Sequence, residues 1–215
     1  HRLPGKAMMP VAGMASVLLS CKRASRGGMD IVVATSTDHE DDILARTLEM
    51  NGVNVFRGSL DDVLGRLVMA AADMPEDSII IRLTGDNLFP DADFIGALMD
   101  HFHKTGRRYI NARPEECGLP YGMCGEVVSL AAFRQAANQA TDPEDRGEFV
   151  TPWIKRNYGV PEAPDIRLHK DLKHLRCTID TLDDYRRVSD VFARVNDPVN
   201  CSWRELCRVL DEVSG

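Results

Sequence analysis

Nowhere in these 215 residues does an apolar run approach the roughly 18 needed to cross a bilayer. No basic segment followed by an apolar core and a cleavage site opens the chain. A soluble, cytoplasmic protein with no membrane role is the expectation. Aromatic residues make up only 6% of the chain, and its six cysteines form neither a C-x-x-C pair nor a His/Cys cluster. Reduced thiols fit that pattern better than a disulfide framework or a zinc site. Positive charge is also scarce: 26 Lys and Arg against 33 Asp and Glu leave a net charge of -7. A general grip on nucleic acid needs a basic face that releases counterions, so no nucleic-acid partner is expected. A small anion is a different matter, because a local cluster of Lys, Arg and backbone N–H groups binds one even within an acidic protein. The G-x-x-x-x-G-K-[ST] spacing of a P-loop, internal repeats, low-complexity tracts and linkers are absent too.

What remains is ordinary globular material, 44% hydrophobic and 27% charged. It is long enough for one domain, residues 1–215, around a substantial core. From Asp30 onward short β-branched runs alternate with longer amphipathic stretches. The period of the apolar residues predicts strands at Ile31–Thr35, Val53–Phe56 and Ser78–Leu83, separated by helices over Asp38–Met50 and Leu60–Ala72. A helix over Asp91–Lys104 follows. Strands joined by helices of that length imply an α/β fold with a mainly parallel sheet and helices on both faces. After Gly106 the rhythm changes. Arg108–Asn111 and Glu126–Ser129 read as strands with Gly118-Leu119-Pro120-Tyr121-Gly122 between them, so residues 107–129 are expected to form an antiparallel excursion. Helices over Leu130–Gln139 and Gly147–Asn157, strands at Ile166–Leu168 and Leu175–Ile179, and a final helix introduced by Ser202 and Glu205 complete the reading.

In open α/β sheets ligands bind beyond the carboxyl ends of the strands. Three such positions carry polar groups: Thr35-Ser36-Thr37, Arg57-Gly58-Ser59 and Thr84-Gly85-Asp86-Asn87. Asp86 suits a hard cation such as Mg²⁺, which takes one or two carboxylates and completes its shell with water and phosphate; a turn or helix cap is the alternative. Asp180, at the end of Arg176-Cys177-Thr178-Ile179-Asp180, is either its partner or the cap of a helix starting near Leu182. Near the start, Pro4-Gly5-Lys6 offers backbone N–H groups and a point charge to phosphate, or is only a turn. Met8, Met9 and Met14 read as packing, the histidines as ordinary surface groups, and Asp183-Asp184 as a solvated first helical turn.

Taken in order, RLPGK, IVVATST, VFRGSLDDVLGR, IIRLTGDN, GLPYG with EVVS, VTPW and RCTIDTLDDY resemble the cytidylyltransferases over nearly the whole chain. The branch they resemble is that of the spore-coat polysaccharide biosynthesis protein F group, related to the 3-deoxy-manno-octulosonate and acylneuraminate enzymes. The resemblance implies a nucleotide-diphosphosugar transferase fold, Rossmann-like and three-layered. It also implies a reaction in which a sugar hydroxyl attacks the α-phosphorus of CTP and pyrophosphate leaves. Catalysis would fall to Lys6, Asp86 and Asp180, with Asp86 and Asp180 holding Mg²⁺. Arg2, Gly5 and Lys6 would bind the triphosphate, while Thr35, Ser59, Asp62, Arg66 and Thr84 would line the cytidine pocket. Tyr121 and Glu126 would face the sugar or a partner subunit in a homodimer.

The chain also departs from that pattern. The apolar first strand and the glycine- and arginine-containing loop that lead into RLPGK in the family do not precede it here, so a sheet lacking its first strand is expected. Gly13-Met14-Ala15-Ser16 stands where the branch has G-K-P-L. Pro90 is displaced from its place near the metal Asp, and Gly147-Glu148-Phe149-Val150-Thr151-Pro152 replaces R-E-H-V-T-P. Two other readings therefore stand beside the active enzyme. One is a truncated, inactive homologue that binds nucleotide or a partner; the other is a glycosyltransferase on the same fold.

Overall fold

The computed structural model describes residues 3–112, 114–159 and 166–215. Arg2 lies outside them. The first parallel unit is built from β3 (Val32–Ser36) and β4 (Asn54–Gly58), paired from Val32 opposite Asn54 to Ser36 opposite Gly58 and joined by α2 (Asp42–Met50). The next helix, α3 (Val63–Ala70), starts where the Asp62 carboxylate accepts from the Gly65 N–H, and it leads to β5 (Ile79–Arg82). After α4 (Ala92–Thr105), β6 (Tyr109–Asn111) and β7 (Glu126–Ser129) form the expected antiparallel excursion. Strand β7 inserts between β5 and β6 and runs antiparallel to both. Strands β3 and β5 are not bonded to each other, and among the described residues each keeps one unpaired edge.

Side-chain alternation along the strands sets the layers, because neighbouring residues of a strand point to opposite faces. Ile79, Ile81, Ile110 and Val127 join one apolar cluster; Ile80, Tyr109 and Val128 join another. The first lies under α1 (Ser16–Ala24), α4, α9 (Leu182–Ala193) and α10 (Trp203–Ser214), through Leu19, Phe94, Val188 and Leu206. The second lies under α3, α6 (Leu130–Gln139) and α8 (Pro152–Tyr158), through Leu64, Phe133 and Ile154. Two short helices, α5 (Pro114–Cys117) and α7 (Pro143–Arg146), sit in the connections. No described helix is long and apolar enough to cross a membrane.

Before the first parallel unit, β1 (Pro10–Val11) and β2 (Met14–Ala15) make a small hairpin through Ala12-Gly13, and α1 follows at once. The sequence reading contains neither. Four other expectations need correction. The helix expected over Gly147–Asn157 begins only at Pro152, which occupies its first turn; proline disfavours helical geometry in the residue before it, and Val150 stands at φ 59°. Ile166–Leu168 is not a strand. Within Leu175–Ile179, Arg176 bridges to Tyr121 in parallel sense and Thr178 to Asn87 in antiparallel sense, so the segment changes partner after two residues and no ladder propagates. Finally, Asp184 is buried at 6% exposure rather than solvated. Its carboxylate accepts from the Thr181 N–H while the Thr181 hydroxyl accepts from the Asp184 N–H, a capping box that opens α9.

Candidate active site

Because Thr181 caps α9, the carboxylate of Asp180 is free for other work. It meets Asp86 across one ammonium: Lys6 Nζ donates to Asp180 Oδ1 at 2.8 Å and to Asp86 Oδ2 at 2.9 Å. Three distant parts of the chain converge there. The turn Leu3–Lys6 is anchored by the Leu3 N–H bonding to the Asp180 carbonyl at 2.7 Å and by the Ser16 hydroxyl bonding to the Lys6 carbonyl at 2.8 Å. The loop after β5 is joined to the segment before α9 by the Ile179 N–H, which donates to the Asp86 carbonyl at 3.0 Å, and by the Asn87–Thr178 bridge. Backbone bonds therefore place the two carboxylates, and Lys6 offsets part of their charge. Arg176 extends the cluster, donating from Nη1 to Asp180 Oδ2 at 2.7 Å with its guanidinium 4.4 Å above the Tyr121 ring.

Burial opposes the charge on Lys6, but hydrogen bonds and attraction to Asp180 and Asp86 outweigh it and hold the ammonium above the ordinary lysine range. Burial likewise opposes ionisation of Asp180; Lys6, Thr178 and Arg176 together hold its carboxyl below the usual range. The signs set a wide window. The Asp180 contribution to stability is present above the ordinary carboxylate value of about 3.9 and is lost as pH falls through the depressed one; the Lys6 contribution is present below about 10.4 and is lost as pH rises through the raised one.

The same pair suits a divalent cation. Asp86 and Asp180 present hard oxygen donors on two sides of a point where positive charge is already held, about three-quarters shielded from solvent. Among the described residues no group of three or more His, Cys, Asp and Glu converges, so an ion here would take the rest of its shell from substrate and water.

The residues expected around a nucleoside fall into two groups. Thr35, Thr84 and Gly85 line a common cavity of about 650 Å³ with Ala7, next to Lys6. Thr35 and Ser36 both donate from their hydroxyls to Asp41 Oδ2 at 2.6 Å. Burial resists ionisation of Asp41, yet these bonds and Arg57 hold its carboxyl below the usual range. Ser59, Asp62 and Arg66 form a second network: Arg66 Nη1 donates to the Ser59 carbonyl, the Asp62 N–H to Ser59 Oγ, and Asp62 Oδ2 accepts from Arg146 at 2.6 Å. Arg66 Nε is buried without a partner among the described residues.

On the excursion the two expected residues differ. Tyr121 is half exposed beside Arg176, whereas Glu126 is only 4% exposed. Its carboxylate accepts from Tyr109 OH at 2.6 Å, Thr151 Oγ1 at 2.8 Å and Arg82 Nη1 at 2.7 Å. Sequence reasoning missed Arg176, Arg82, Asp41 and Thr178. For Arg176 a signal existed, since it opens the run that ends at Asp180.

Gly122 shows how tightly this end is packed. Its φ is +89°, and a Cβ there would lie 2.2 Å from Thr178 Cγ2. Its carbonyl also accepts from Asn87 Nδ2 at 2.7 Å. Gly122→Ala is therefore expected to cost about 1–3 kcal/mol in a denaturant titration, through backbone strain and displacement of the Asn87–Thr178 bridge. Unchanged stability would mean that the loop relaxes freely.

Known proteins carry the same arrangement of elements. A family model described as cytidylyltransferase matches residues 1–190. The spore coat polysaccharide biosynthesis protein SpsF of Bacillus subtilis is 29% identical over 98% of this chain and 89% of its own length. Among solved structures, a cytidylyltransferase from Leptospira borgpetersenii is 25% identical and superposes with a TM-score of 0.87, over 99% of this chain and 90% of the other. A CMP:2-keto-3-deoxy-manno-octonic acid synthetase solved with CTP shares the fold, at 16% identity and a TM-score of 0.62 over 90% of this chain and 93% of the other. A match over most of its length settles the assignment: this chain belongs to the cytidylyltransferase family.

Proposed function

We propose that the protein transfers CMP from CTP to a hydroxyl of a sugar acid used in surface polysaccharide, releasing pyrophosphate. The observation that carries this reading is the Lys6 ammonium shared between Asp86 and Asp180 at the carboxyl end of β5. In the reaction the sugar oxygen bonds to the α-phosphorus as the bond from that phosphorus to the bridging oxygen breaks. The bonding electrons leave with pyrophosphate, and the hydroxyl proton goes to solvent. Such in-line displacement depends on positioning and charge neutralisation. Asp86 and Asp180 would hold Mg²⁺, which when bound polarises the phosphoryl oxygen and neutralises developing charge.

The chain's own groups supply the rest. Lys6 moves its charge from the two carboxylates to the triphosphate, beside the Gly5 backbone and Arg2. Thr35 and Thr84 sit at the base of the nucleoside, with Ser59, Asp62 and Arg66 around it. Arg176, stacked on Tyr121, presents a cation to the carboxylate of a sugar acid. Glu126 holds Arg82 in place. Cytoplasmic location and a homodimer through the excursion complete the proposal, and the resemblance to a spore-coat polysaccharide protein supports the substrate class.

The test is release of pyrophosphate from each of the four nucleoside triphosphates with Mg²⁺ and a panel of 2-keto-3-deoxy sugar acids. Release is expected with CTP alone and only when an acceptor is present. No CTP binding by calorimetry at millimolar nucleotide would overturn the reading, and equal turnover with UTP would remove its base assignment.

A further inference from the structure

Lys6 holds the oxygens that a divalent ion would need. Its ammonium commits two of its three N–H groups to Asp180 Oδ1 and Asp86 Oδ2, at 2.8 and 2.9 Å. The other oxygen of Asp180 is taken as well, accepting from Arg176 Nη1 at 2.7 Å and from the Thr178 hydroxyl at 3.2 Å. A divalent ion and an ammonium on the same carboxylate oxygens repel each other, so one must leave for the other to bind.

Charge points the same way. Two carboxylates face the cations of Lys6 and Arg176, so the cluster is already neutral. A bare divalent ion would leave it with a surplus of two positive charges and would push Lys6 aside with no anion to receive it. A triphosphate supplies that anion. The turn also lets the side chain move while the backbone stays. The Ser16 hydroxyl donates to the Lys6 carbonyl at 2.8 Å, the Met8 N–H to the Gly5 carbonyl at 2.8 Å and the Leu3 N–H to the Asp180 carbonyl at 2.7 Å. None of these bonds involves the flexible four-carbon stem that carries the ammonium.

We propose that Lys6 gates the metal site: in the nucleotide-free chain its ammonium keeps divalent ions off Asp86 and Asp180, and it releases the pair when a triphosphate draws it away. Metal and nucleotide therefore bind with positive coupling, each raising the affinity for the other by the same factor. The inference rests on the reading of Asp86 and Asp180 as the cation pair, but not on the acceptor or on turnover.

The probe is Mn²⁺ alone, its free concentration read by electron paramagnetic resonance, with the full chain and no nucleotide or sugar acid. Lys6→Met is expected to bind Mn²⁺ at least tenfold more tightly than the parent. Adding Asp86→Asn to Lys6→Met should abolish the gain, which places the ion on the pair. Lys6→Arg keeps a cation on the turn and should bind as weakly as the parent. Lys170→Met removes an exposed lysine paired with Asp211 and reports the effect of net charge alone; its affinity should stay within twofold of the parent's. Equal affinity in the parent and Lys6→Met overturns the proposal. So does a gain that survives Asp86→Asn or that Lys170→Met reproduces. Calorimetry of CTP with and without Mg²⁺ tests the coupling. The gain from Mg²⁺ should be at least threefold smaller in Lys6→Met than in the parent, chelation in solution being common to both, and an equal gain overturns the gate. The two readings fail separately: a parent that binds Mn²⁺ as tightly as Lys6→Met removes the gate and leaves CMP transfer standing, whereas a chain that turns over no nucleotide leaves the Mn²⁺ comparison unchanged.

Discussion

Asp86→Ala is expected to lower CTP-dependent pyrophosphate release by about 10²–10³-fold or more, with thermal stability little changed. The fold does not depend on this carboxylate: the Ile179 N–H bonds to the Asp86 carbonyl, which alanine retains. What disappears is one of two hard oxygen donors, together with one partner of Lys6. The partner substitution Lys6→Met should cost as much by a different route. Asp180 would keep Arg176, but Asp86 would face a second carboxylate without an intervening cation. Initial rates at saturating CTP and Mg²⁺ measure both losses. Full turnover in Asp86→Ala would remove the cluster from the mechanism.

Much of the fold was legible because strand neighbours alternate between two apolar layers. Ile79 and Ile81 enter one cluster and Ile80 the other, as a run of isoleucines in a doubly covered strand should. Burial hides α1: eight of its nine residues are buried, the polar Ser16, Ser20 and Arg23 among them, so its polar positions mark no solvent face, and Ala15 caps it without a side-chain bond. Leu175–Ile179 fails for the opposite reason. It has the composition of a strand, but Tyr121 and Asn87 each take only one of its residues, a tertiary arrangement that no local pattern encodes.

In the site, residue type and strand-end position identified Asp86, Asp180 and Lys6 separately. Their meeting was not readable from spacing, because it rests on backbone bonds between segments far apart in sequence: Leu3 to Asp180 and Ile179 to Asp86. Arg176 escaped for a related reason. Its role is defined by the Tyr121 ring beneath it and by the second oxygen of Asp180. Glu126 shows the converse, where a residue type that suggests chemistry is held inside by Tyr109, Thr151 and Arg82.

Arg23 carries the largest expected effect on stability. Its side chain is fully buried on α1, and burial pushes its pKa down despite the thiol of Cys201 and the carboxylate of Asp91 nearby. Its guanidinium joins three parts of the molecule. Nε and Nη2 donate to the carbonyls of Leu88 and Phe89, just after Asp86, at 2.8 and 3.0 Å. Nη1 donates to those of Pro198 and Cys201, before α10, at 2.8 and 3.0 Å. The plane lies 5.7 Å from the Phe192 ring of α9. Arg23→Ala would leave a cavity and several buried carbonyls without donors, at a cost of about 3–5 kcal/mol. For a chain of this length that corresponds to a fall in melting temperature of roughly 10 °C. Arg23→Lys should recover only part of the loss, since an ammonium cannot reproduce the planar fork that reaches Leu88, Phe89 and Pro198 together. Asp91 should hold in both variants, because it also accepts from the N–H groups of Phe94 and Trp203. Denaturant midpoints for the three proteins test this order, and an Arg23→Ala chain as stable as the parent would show that the two carbonyl-bearing segments and α9 stay together without the guanidinium.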